Sequence, residues 1–358
     1  MKPRVLAVSF FSSPGAVADN SYTLARSLAG QTELSLLTSS LLATRPIEGV
    51  RESLFVDFPK ERPLTWLSPA QWVRIIRFAR AREHDLLFLY SEHPLHAVVE
   101  RMARARRTLF WCLDPAPHSG SRQLAATIYE MAKRSLMRRA DRVVVACERL
   151  HADVVKRYGV PPERVLTSFH GVLDNMVFPD IQPGERDIDI LFFGRRERYK
   201  GLDVLLEAVQ LLSVRPNGHA ARVVIAGPGT EPVPATPGVT VEMRYVPDRE
   251  LAGMIARAKV VAMPYRDATG SQVPQTAFVY GTPVVATAVG CLPAYVTDGV
   301  NGLVVPRENA RALASALDRV LGDQELWNRL STGARRTVTT VFDNQALAAR
   351  LLADALAD

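Results

Sequence analysis

The stretch FFGRRERYKGL, residues 192–202, joins an apolar run to a basic loop that lies between two glycines. The run from Ile188 to Phe193 is nearly continuously apolar, and the residues from Leu202 to Leu212 have the spacing of an amphipathic helix. A strand that is apolar throughout is typical of a parallel sheet with helices on both faces. The stretch therefore predicts a strand–loop–helix unit of an open α/β sheet.

The same alternation of apolar runs and amphipathic stretches continues along most of the chain. Segments Ser21–Leu28 and Ala310–Leu321 also have helical spacing. Eight runs rich in apolar residues are interpreted as buried strands: Val5–Phe10, Leu86–Tyr90, Thr108–Cys112, Arg142–Ala146, Ile188–Phe193, Ala221–Ala226, Val260–Met263 and Pro283–Ala286. Repeated strand–helix–strand order predicts an α/β fold built from doubly wound parallel sheets.

A linker divides the chain nearly in half. Two prolines, a glycine and charged residues lie between Phe178 and Glu185, where the alternation pauses. Several predicted strands lie on each side, so we expect two Rossmann-like domains, residues 1–178 and 187–340, that face each other across a cleft. Residues 341–358 are expected to form a C-terminal helix, capped by Asn344, that packs back on the first domain.

Length and composition exclude several classes of protein. A chain of 358 residues that is 47% hydrophobic and 23% charged has enough apolar material for two cores and is not a disordered chain. Its apolar runs fall short of the roughly 20 residues of a membrane-spanning helix, and the first run fits a buried strand better than a signal peptide. Cys112, Cys147 and Cys291 show no metal-ligand spacing. These features predict a cytoplasmic protein without a bound metal.

The positive charge of the chain is concentrated in its first half. The whole chain has a net charge of +7, and residues 1–185 hold 25 basic and 19 acidic residues, a balance of +6. Such an imbalance fits an anionic partner. Aromatic residues make up only 7% of the chain and no RNA- or DNA-binding signature is recognisable, so nucleic acid is not the expected partner.

A basic amphipathic segment in the first half allows two interpretations. Ser68–Arg82 predicts a helix with Pro69 in its first turn and with apolar and basic residues on opposite faces. The apolar residues are Trp72, Ile75, Ile76 and Ala79, and the basic ones are Arg74, Arg77 and Arg80. Further basic clusters are Arg101, Arg104, Arg106 and Arg107, and Lys133, Arg134, Arg138 and Arg139. Either this surface attaches to an anionic membrane, at its cytoplasmic face, or the helix belongs to the core with a solvated basic face.

The basic loop of residues 194–201 is a candidate phosphate site. It places Arg195 and Lys200 at the carboxyl end of a strand, where open α/β sheets bind ligands. Arginine can hold a diphosphate with two hydrogen bonds and lysine adds a point charge, so the pair can stabilise a departing phosphate group. The alternative is a solvated loop that happens to be basic.

A second loop, Asp267–Pro274, follows the predicted strand that ends at Met263. Pro274 suits the first turn of a helix, and the N–H groups of Gly270, Ser271 and Gln272 would then form an anion site at the helix start. The alternative is an ordinary helix that begins with proline. Together with the basic pair, the loop favours a diphosphate site. Glycine turns at residues 13–16 and 226–229 give weaker support.

Four segments together resemble the GT-B glycosyltransferases, specifically the family-4 type, or group 1, of retaining sugar transferases. The resemblance covers most of the chain and is strongest from residue 188 to residue 306. The segments that carry it are Gly194–Ala208, Tyr280–Pro293, Val296–Pro306 and His170–Phe178. It implies an acceptor-binding first domain and a second domain that binds a nucleotide diphosphate sugar.

The resemblance also implies roles for individual residues. Arg195 and Lys200 would hold the donor diphosphate, and Gly15 would approach it from the first domain. The other implied donor contacts are Gly227, Tyr245, Val246, Thr269, Gly270, Ser271, Gln272, Val273 and Thr276, with residues 244–246 near the base. The chemistry of the family needs no metal and no cofactor beyond the sugar nucleotide, which is a co-substrate.

The chain departs from the family pattern at two acidic positions. The family carries two glutamates with seven residues between them, and these positions are Ala268 and Thr276 in this sequence. The contacts to sugar and ribose hydroxyls must therefore differ. Polar substitutes by type are Thr269, Ser271, Gln272, Gln275 and Thr276.

Candidate acid–base groups lie in two strand-end segments of the first domain. Asp114 and His118 share one loop, although relatives often place a histidine where this chain has Leu113. They are candidates for contact with the donor sugar or for acid–base catalysis on an acceptor hydroxyl. Glu92 and His93 are similar candidates on the acceptor side. In each case a purely structural role is the alternative, and one of these carboxylates would be the base if the reaction inverted.

The sequence thus predicts a hexosyltransferase-type glycosyltransferase. It would move a sugar from a nucleotide diphosphate to a hydroxyl of a glycan, a lipid-linked precursor or a small metabolite, with retention and without a metal. Two alternatives stay open: another GT-B enzyme, such as an epimerase or phosphorylase, or a catalytically silent nucleotide-binding relative. A dehydrogenase is disfavoured because no G-x-G-x-x-G follows either opening strand.

Overall fold

The computed structural model describes residues 1–11, 15–58, 68–115, 123–212 and 220–357. The chain forms two compact units. Unit 1 comprises Met1–His170 and Asn344–Asp358, and unit 2 comprises Gly171–Asp343.

Unit 1 is built on a parallel sheet of seven strands. In chain order these are β1 Arg4–Ser9, β2 Glu33–Thr38, β3 Val50–Phe55, β4 His84–Tyr90, β5 Ala105–Trp111, β6 Arg142–Val145 and β7 Val165–Thr167. Their order across the sheet is β3-β2-β1-β4-β5-β6-β7. The connecting helices are α1 Ala16–Gln31, α2 Pro69–Arg80, α3 His96–Met102, α4 Gln123–Arg139 and α5 Glu148–Tyr158.

Unit 2 repeats this plan with six parallel strands. They are β8 Ile188–Phe193, β9 Val223–Ala226, β10 Val239–Glu242, β11 Ala258–Met263, β12 Val284–Thr287 and β13 Gly302–Val305. Their order is β10-β9-β8-β11-β12-β13. The helices are α6 Leu202–Leu211, α7 Asp248–Arg257, α8 Val273–Val279, α9 Leu292–Tyr295, α10 Ala310–Gly322 and α11 Gln324–Thr340.

Both sheets have the strand order of a Rossmann fold, which confirms the predicted α/β class with two doubly wound halves. All eight predicted strands are observed. The order reverses between β1 and β4 in unit 1 and between β8 and β11 in unit 2. A crevice opens outside the carboxyl ends of the strands at such a point, so the loops that follow β8 and β11 are where a ligand is expected.

The last helix, α12 Asn344–Leu356, belongs to unit 1 and packs on α1. Ala348, Leu351, Leu352 and Ala355 are buried in the same core cluster as residues of α1 and of the sheet. The Gln31 side chain of α1 also donates a hydrogen bond to the Gln345 carbonyl oxygen (2.9 Å). The chain therefore completes the core of unit 1 only at its end.

The segment after His170 is anchored in unit 2, including the first residues of the predicted linker. The Tyr280 hydroxyl donates to the Met176 carbonyl oxygen (2.8 Å) and accepts from the Phe178 N–H (3.3 Å). The Asn175 amide donates to Asp248 (2.7 Å). The division between the compact units thus falls at residue 170, eight positions before the end of the predicted first domain.

Helix α2 uses its apolar face within unit 1. Ser68 caps its start, and Ile75 and Ala79 are fully buried, whereas Arg74, Arg77 and Arg80 are exposed. This geometry fits the interpretation of a core helix with a solvated basic face, and membrane attachment remains a prediction. Within the described part of the chain, every helix is too short or too polar to cross a membrane.

A candidate anion site at the carboxyl ends of the strands in unit 2

Glycines join the loops that follow β8 and β9. Gly227 has a positive φ of 139°, and a methyl group added there would lie 2.2 Å from the Gly194 carbonyl oxygen. The buried Arg196 guanidinium donates to the carbonyl oxygens of Gly227 (3.1 Å), Gly229 (2.7 Å) and Glu231. Arg196 therefore holds the β9 loop against the β8 loop, and only glycine fits the close approach between them.

The loop that follows β11 is fixed to the β8 loop in a similar way. Gly201 has a φ of 65°, and a methyl group there would lie 2.0 Å from the Pro264 carbonyl oxygen. The Arg266 N–H donates to the Tyr199 carbonyl oxygen (2.6 Å), and the Arg266 guanidinium forms two hydrogen bonds with Asp203 (2.8 and 2.7 Å). The loops after β8, β9 and β11 are thus tied together at one edge of the sheet.

Lys200 lies at the centre of this edge, in a single 3₁₀ turn, Arg198–Lys200. The residue is only 9% exposed, and its ammonium lies 5.0 Å from the centroid of the Tyr265 ring. A methyl group added at Gly194 would come within 2.7 Å of Nζ, so glycine leaves space for the ammonium. No carboxylate of the described residues forms an ion pair with Lys200. Burial lowers the pKa of Lys200, but the Tyr265 and Tyr199 hydroxyls outweigh it and the pKa is raised, so the ammonium is charged at neutral pH.

Arg195 adds a second positive charge to this place. Its side chain is exposed, and it has no carboxylate partner among the described residues. The positive charge of Arg195 repels that of Lys200 and acts to lower the pKa of the lysine. The two cations are therefore close enough to interact electrostatically. Two cations with no counter-charge among the described residues form a site suited to an anion.

The start of α8 supplies backbone donors on the β11 side. Pro274 lies in the first turn, as predicted. The Val273 N–H donates a hydrogen bond to the Ser271 hydroxyl oxygen (3.3 Å). Gly270 is exposed and Ser271 is half-buried, and within the described part of the chain their N–H groups have no acceptor. Gln272 and Thr269 are also half-buried.

Thr276 and Ala268, the two positions where the family has glutamates, form hydrogen bonds within unit 2. The Thr276 hydroxyl is buried and donates to the Gln272 carbonyl oxygen one turn earlier (2.8 Å). The Ala268 carbonyl oxygen accepts from the Cys291 N–H (3.2 Å), and a methyl group at Gly290 would lie 1.5 Å from that oxygen. The β12 loop therefore packs directly on Ala268.

The residues predicted to lie near a base follow β10. Tyr245 is 69% exposed, and its hydroxyl donates to Asp248 (3.2 Å). Val246 is buried. The Gly227 N–H donates to the Glu242 carbonyl oxygen at the end of β10 (2.9 Å), which joins the β9 loop to this strand.

In unit 1, Gly15 lies at the start of α1, after β1. Its φ of 138° requires glycine, and a methyl group added there would meet no described atom within 4 Å. The described residues therefore leave space beside the Gly15 backbone, which follows β1 at the carboxyl edge of this sheet.

The unit 1 carboxylates are brought together at the ends of β4 and β5. Glu92 Oε1 accepts a hydrogen bond from the Asp114 N–H (2.6 Å), and burial raises the pKa of Glu92. His93 instead packs against Phe10 and Phe58, with ring centroids 5.4 and 6.1 Å away. His118 lies outside the described residues.

The sequence interpretation missed the roles of Arg196 and Lys133, which hold loops at the carboxyl edges of the two sheets. Arg196 was part of a basic run with no separate role, and Lys133 was assigned to an exposed basic cluster. The structure buries both side chains, and Lys133 Nζ donates to the Asp114 carbonyl oxygen (2.8 Å). The helical period does signal the place of Lys133, because it lies on the same face of α4 as the buried Leu136 and Met137.

Among the described residues, no group of three histidine, cysteine, aspartate or glutamate side chains is arranged to hold a metal ion. The prediction that the chain needs no metal or other cofactor stays a prediction.

Comparisons with known proteins place these features in a family context. Residues 187–323 match the family model described as glycosyl transferases group 1, and residues 15–167 match the glycosyl transferase 4-like domain. The chain is 28% identical to a D-inositol 3-phosphate glycosyltransferase of Corynebacterium aurimucosum, over 92% of this chain and 90% of that protein. It is 31% identical to an enzyme of the same name from Saccharomonospora viridis, and there the match spans 57% of this chain and about half, 53%, of the relative. The fold resembles the crystal structure of Anabaena HepE in complex with UDP, with a TM-score of 0.73, 15% identity and coverage of 98% of both chains.

Proposed function

Because this chain belongs to the group 1 glycosyltransferases of the GT-B fold, we propose that it transfers a hexose from a nucleotide diphosphate to an acceptor hydroxyl, with retention and without a metal. The observation that carries this proposal is the pair Arg195 and Lys200, two cations with no described carboxylate partner at the carboxyl ends of β8 and β11. The acceptor class that we favour is a small phosphorylated polyol, because the two relatives described above are D-inositol 3-phosphate glycosyltransferases.

The pair performs the electrostatic part of the reaction. Cleavage of the bond between the sugar and the diphosphate leaves negative charge on the diphosphate. Lys200 is held by burial and by the Gly194 and Gly201 backbone, so its charge is preorganised for that product and costs no reorganisation. The N–H groups of Gly270 and Ser271 add neutral donors at the start of α8. We also propose that Asp114, which follows β5 at the carboxyl edge of the unit 1 sheet, is the acid–base group for the acceptor hydroxyl.

A binding experiment with matched variants tests the phosphate site. UDP, UDP-glucose and other nucleoside diphosphates and their sugars are screened by thermal shift, with and without EDTA. We expect at least one of them to raise the melting temperature equally in both conditions, since it binds the folded state and needs no metal. Lys200→Ala and Arg195→Ala should abolish the shift, whereas Arg198→Ala, an exposed arginine of the same loop, should keep it. A double variant, Arg195→Ala with Lys200→Ala, that binds as the wild type does would refute the proposal.

Turnover then separates transfer from its rivals. With D-inositol 3-phosphate and a panel of other hydroxyl acceptors, we expect release of the nucleoside diphosphate that depends on the acceptor, and a product with the donor's anomeric configuration. The positions Ala268 and Thr276 favour one rival, a relative that binds nucleotides without catalysis, because both family carboxylates are absent. Binding without turnover on the whole panel would favour that rival. Conversion of the sugar nucleotide without an acceptor would instead indicate an epimerase.

A further inference from the structure

We propose that Lys133 and Glu92 are positioning residues that fix the backbone of Asp114 from both sides for the transfer reaction, an inference that rests on the proposed function. Neither residue needs to touch the sugar or the acceptor. Each acts through Asp114, whose loop follows β5 at the carboxyl edge of the unit 1 sheet.

The contacts at Asp114 satisfy both of its backbone polar groups with charged side chains from different elements. Its N–H donates to Glu92 Oε1 (2.6 Å), and its carbonyl oxygen accepts from Lys133 Nζ (2.8 Å). The next carbonyl oxygen, of Pro115, lies 3.4 Å from Lys133 Nζ and accepts from the Tyr158 hydroxyl (2.6 Å). Hydrogen bonds to charged groups are about twice as strong as neutral ones, so the loop is held more firmly than an ordinary turn.

The environment of Lys133 explains why it acts as a fixed anchor. Its side chain is only 8% exposed, and its third partner is Glu130, one turn earlier on α4 (3.4 Å). An ammonium has three donors, and here they face the carbonyl oxygens of Asp114 and Pro115 and the Glu130 carboxylate. Burial of a charge is costly unless it is paired in this way, so any displacement of the loop would leave a buried donor unsatisfied.

The strained backbone of Ser91, the residue before Glu92, directs the Glu92 side chain towards Asp114. Ser91 has a φ of 80°, a backbone conformation that residues other than glycine rarely adopt. Its N–H donates to the Trp111 carbonyl oxygen at the end of β5 (3.1 Å), and its own carbonyl oxygen accepts from Nδ1 of the buried His96 (2.9 Å). Backbone strain of this kind persists where the surroundings enforce it, and it turns the chain so that Glu92 reaches the β5 loop.

The proposal predicts loss of rate without loss of donor binding. We expect Lys133→Met to lower kcat by about 100-fold, the scale of a displacement of about 1 Å at a reacting group. The KM for the sugar nucleotide should change by no more than about twofold, because its phosphates bind to Lys200 in unit 2. Arg138→Met on the same helix, an exposed side chain, is the matched control and should keep wild-type kcat.

Two comparisons distinguish positioning from a general structural role. Glu92→Gln keeps an oxygen that can accept from the Asp114 N–H, so it should retain most of the rate that Glu92→Ala loses. Lys133→Met combined with Asp114→Asn should be no slower than Asp114→Asn alone, because Lys133 acts through Asp114. Equal loss in Glu92→Gln and Glu92→Ala, or additive losses in the double variant, would overturn the proposal.

The experiment uses the full chain with UDP-glucose as donor and D-inositol 3-phosphate as acceptor, followed by the rest of the panel above. Hydrogen exchange of the peptide that contains residues 111–115 gives a second readout, which needs no activity. We expect faster exchange at Asp114 in Lys133→Met and not in Arg138→Met, and unchanged exchange would overturn the inference. If Lys200→Ala binds donor normally, the proposed function fails. If Lys200→Ala fails to bind and Lys133→Met keeps its kcat, the inference alone fails.

Discussion

At the scale of single residues, Arg195 and Arg196 are adjacent and identical in type but differ in role. Arg195 is exposed without a carboxylate partner among the described residues, whereas Arg196 is 5% exposed and donates to three backbone carbonyl oxygens. We expect Arg196→Met to lower the free energy of unfolding by about 3 kcal/mol, because three backbone carbonyl oxygens, one of them buried, lose a charged donor. Arg195→Met should change it by no more than about 0.5 kcal/mol, as for other exposed residues. Urea unfolding of both variants measures the difference.

Binding data on the same two variants complete the comparison. Arg195→Met should lose affinity for the nucleoside diphosphate while its stability stays that of the wild type. Equal destabilisation by the two substitutions would mean that the assigned contacts of Arg196 do not hold the β9 loop.

This pair also shows where interpretation of the sequence stops. The apolar run before Gly194 and the helical spacing after Gly201 were enough to place Arg195 and Lys200 at the end of a strand, because strand and helix periodicity are local. The direction of each side chain in the loop depends on the positive φ angles of Gly194 and Gly227 and on the carbonyl oxygens of a loop some 30 residues away. Such contacts are not local, so the separate role of Arg196 could not be predicted.

At the scale of elements, the same limit explains why the edge strands β3 and β10 were missed. The strands β8, β11 and β12 are apolar throughout and were predicted. The edge strands β3 and β10 are half-exposed and alternate in burial, so they lack the continuous apolar run that marks a strand inside the sheet. The interior strand β2, Glu33–Thr38, was missed as well although five of its six residues are buried. A continuous apolar run therefore identifies many of the core strands but not all of them, and these two edge strands lack that signal.

The turn between β8 and α6 depends on Gly201, whose backbone conformation brings the β8 loop against the β11 loop. Gly201→Ala should lower stability by at least about 1 kcal/mol, because its φ of 65° is strained for alanine and its methyl group would lie 2.0 Å from the Pro264 carbonyl oxygen. The movement that relieves this clash displaces Lys200, so binding of UDP or of another active nucleotide should be lost as well. Calorimetric titration and thermal unfolding measure the two effects.

A second glycine provides the matched control for that substitution. Gly253 lies within α7, has no described atom within 4 Å of an added methyl group and has no positive φ. Gly253→Ala should therefore raise stability by about 0.5–1 kcal/mol through helix propensity, with nucleotide affinity unchanged. Normal nucleotide binding by Gly201→Ala would show that the close contact between the loops does not place Lys200.

At the scale of the whole molecule, the order of the chain makes unit 1 dependent on its last residues. Strands β1 to β7 and helices α1 to α5 are followed by all of unit 2 before α12 returns to the core of unit 1. Leu351 and Leu352 are 4% and 7% exposed and belong to the core cluster that contains Leu28 of α1 and Phe88 of β4. The stability of unit 1 thus includes the apolar burial of α12. This helix is separated from the rest of unit 1 in the chain by the 173 residues Gly171–Asp343.

Substitution in α12 tests this dependence. Leu351→Ala should lower the free energy of unfolding of unit 1 by about 2–5 kcal/mol, through lost burial and the cavity that remains. Arg350→Ala, an exposed neighbour on the same helix, should have no effect beyond about 0.5 kcal/mol. Nucleotide affinity at 25 °C should be the same in both variants, because the phosphate site is built within unit 2. A parallel loss of stability and nucleotide affinity in Leu351→Ala would contradict this, because it would show that the phosphate site needs an intact core in unit 1.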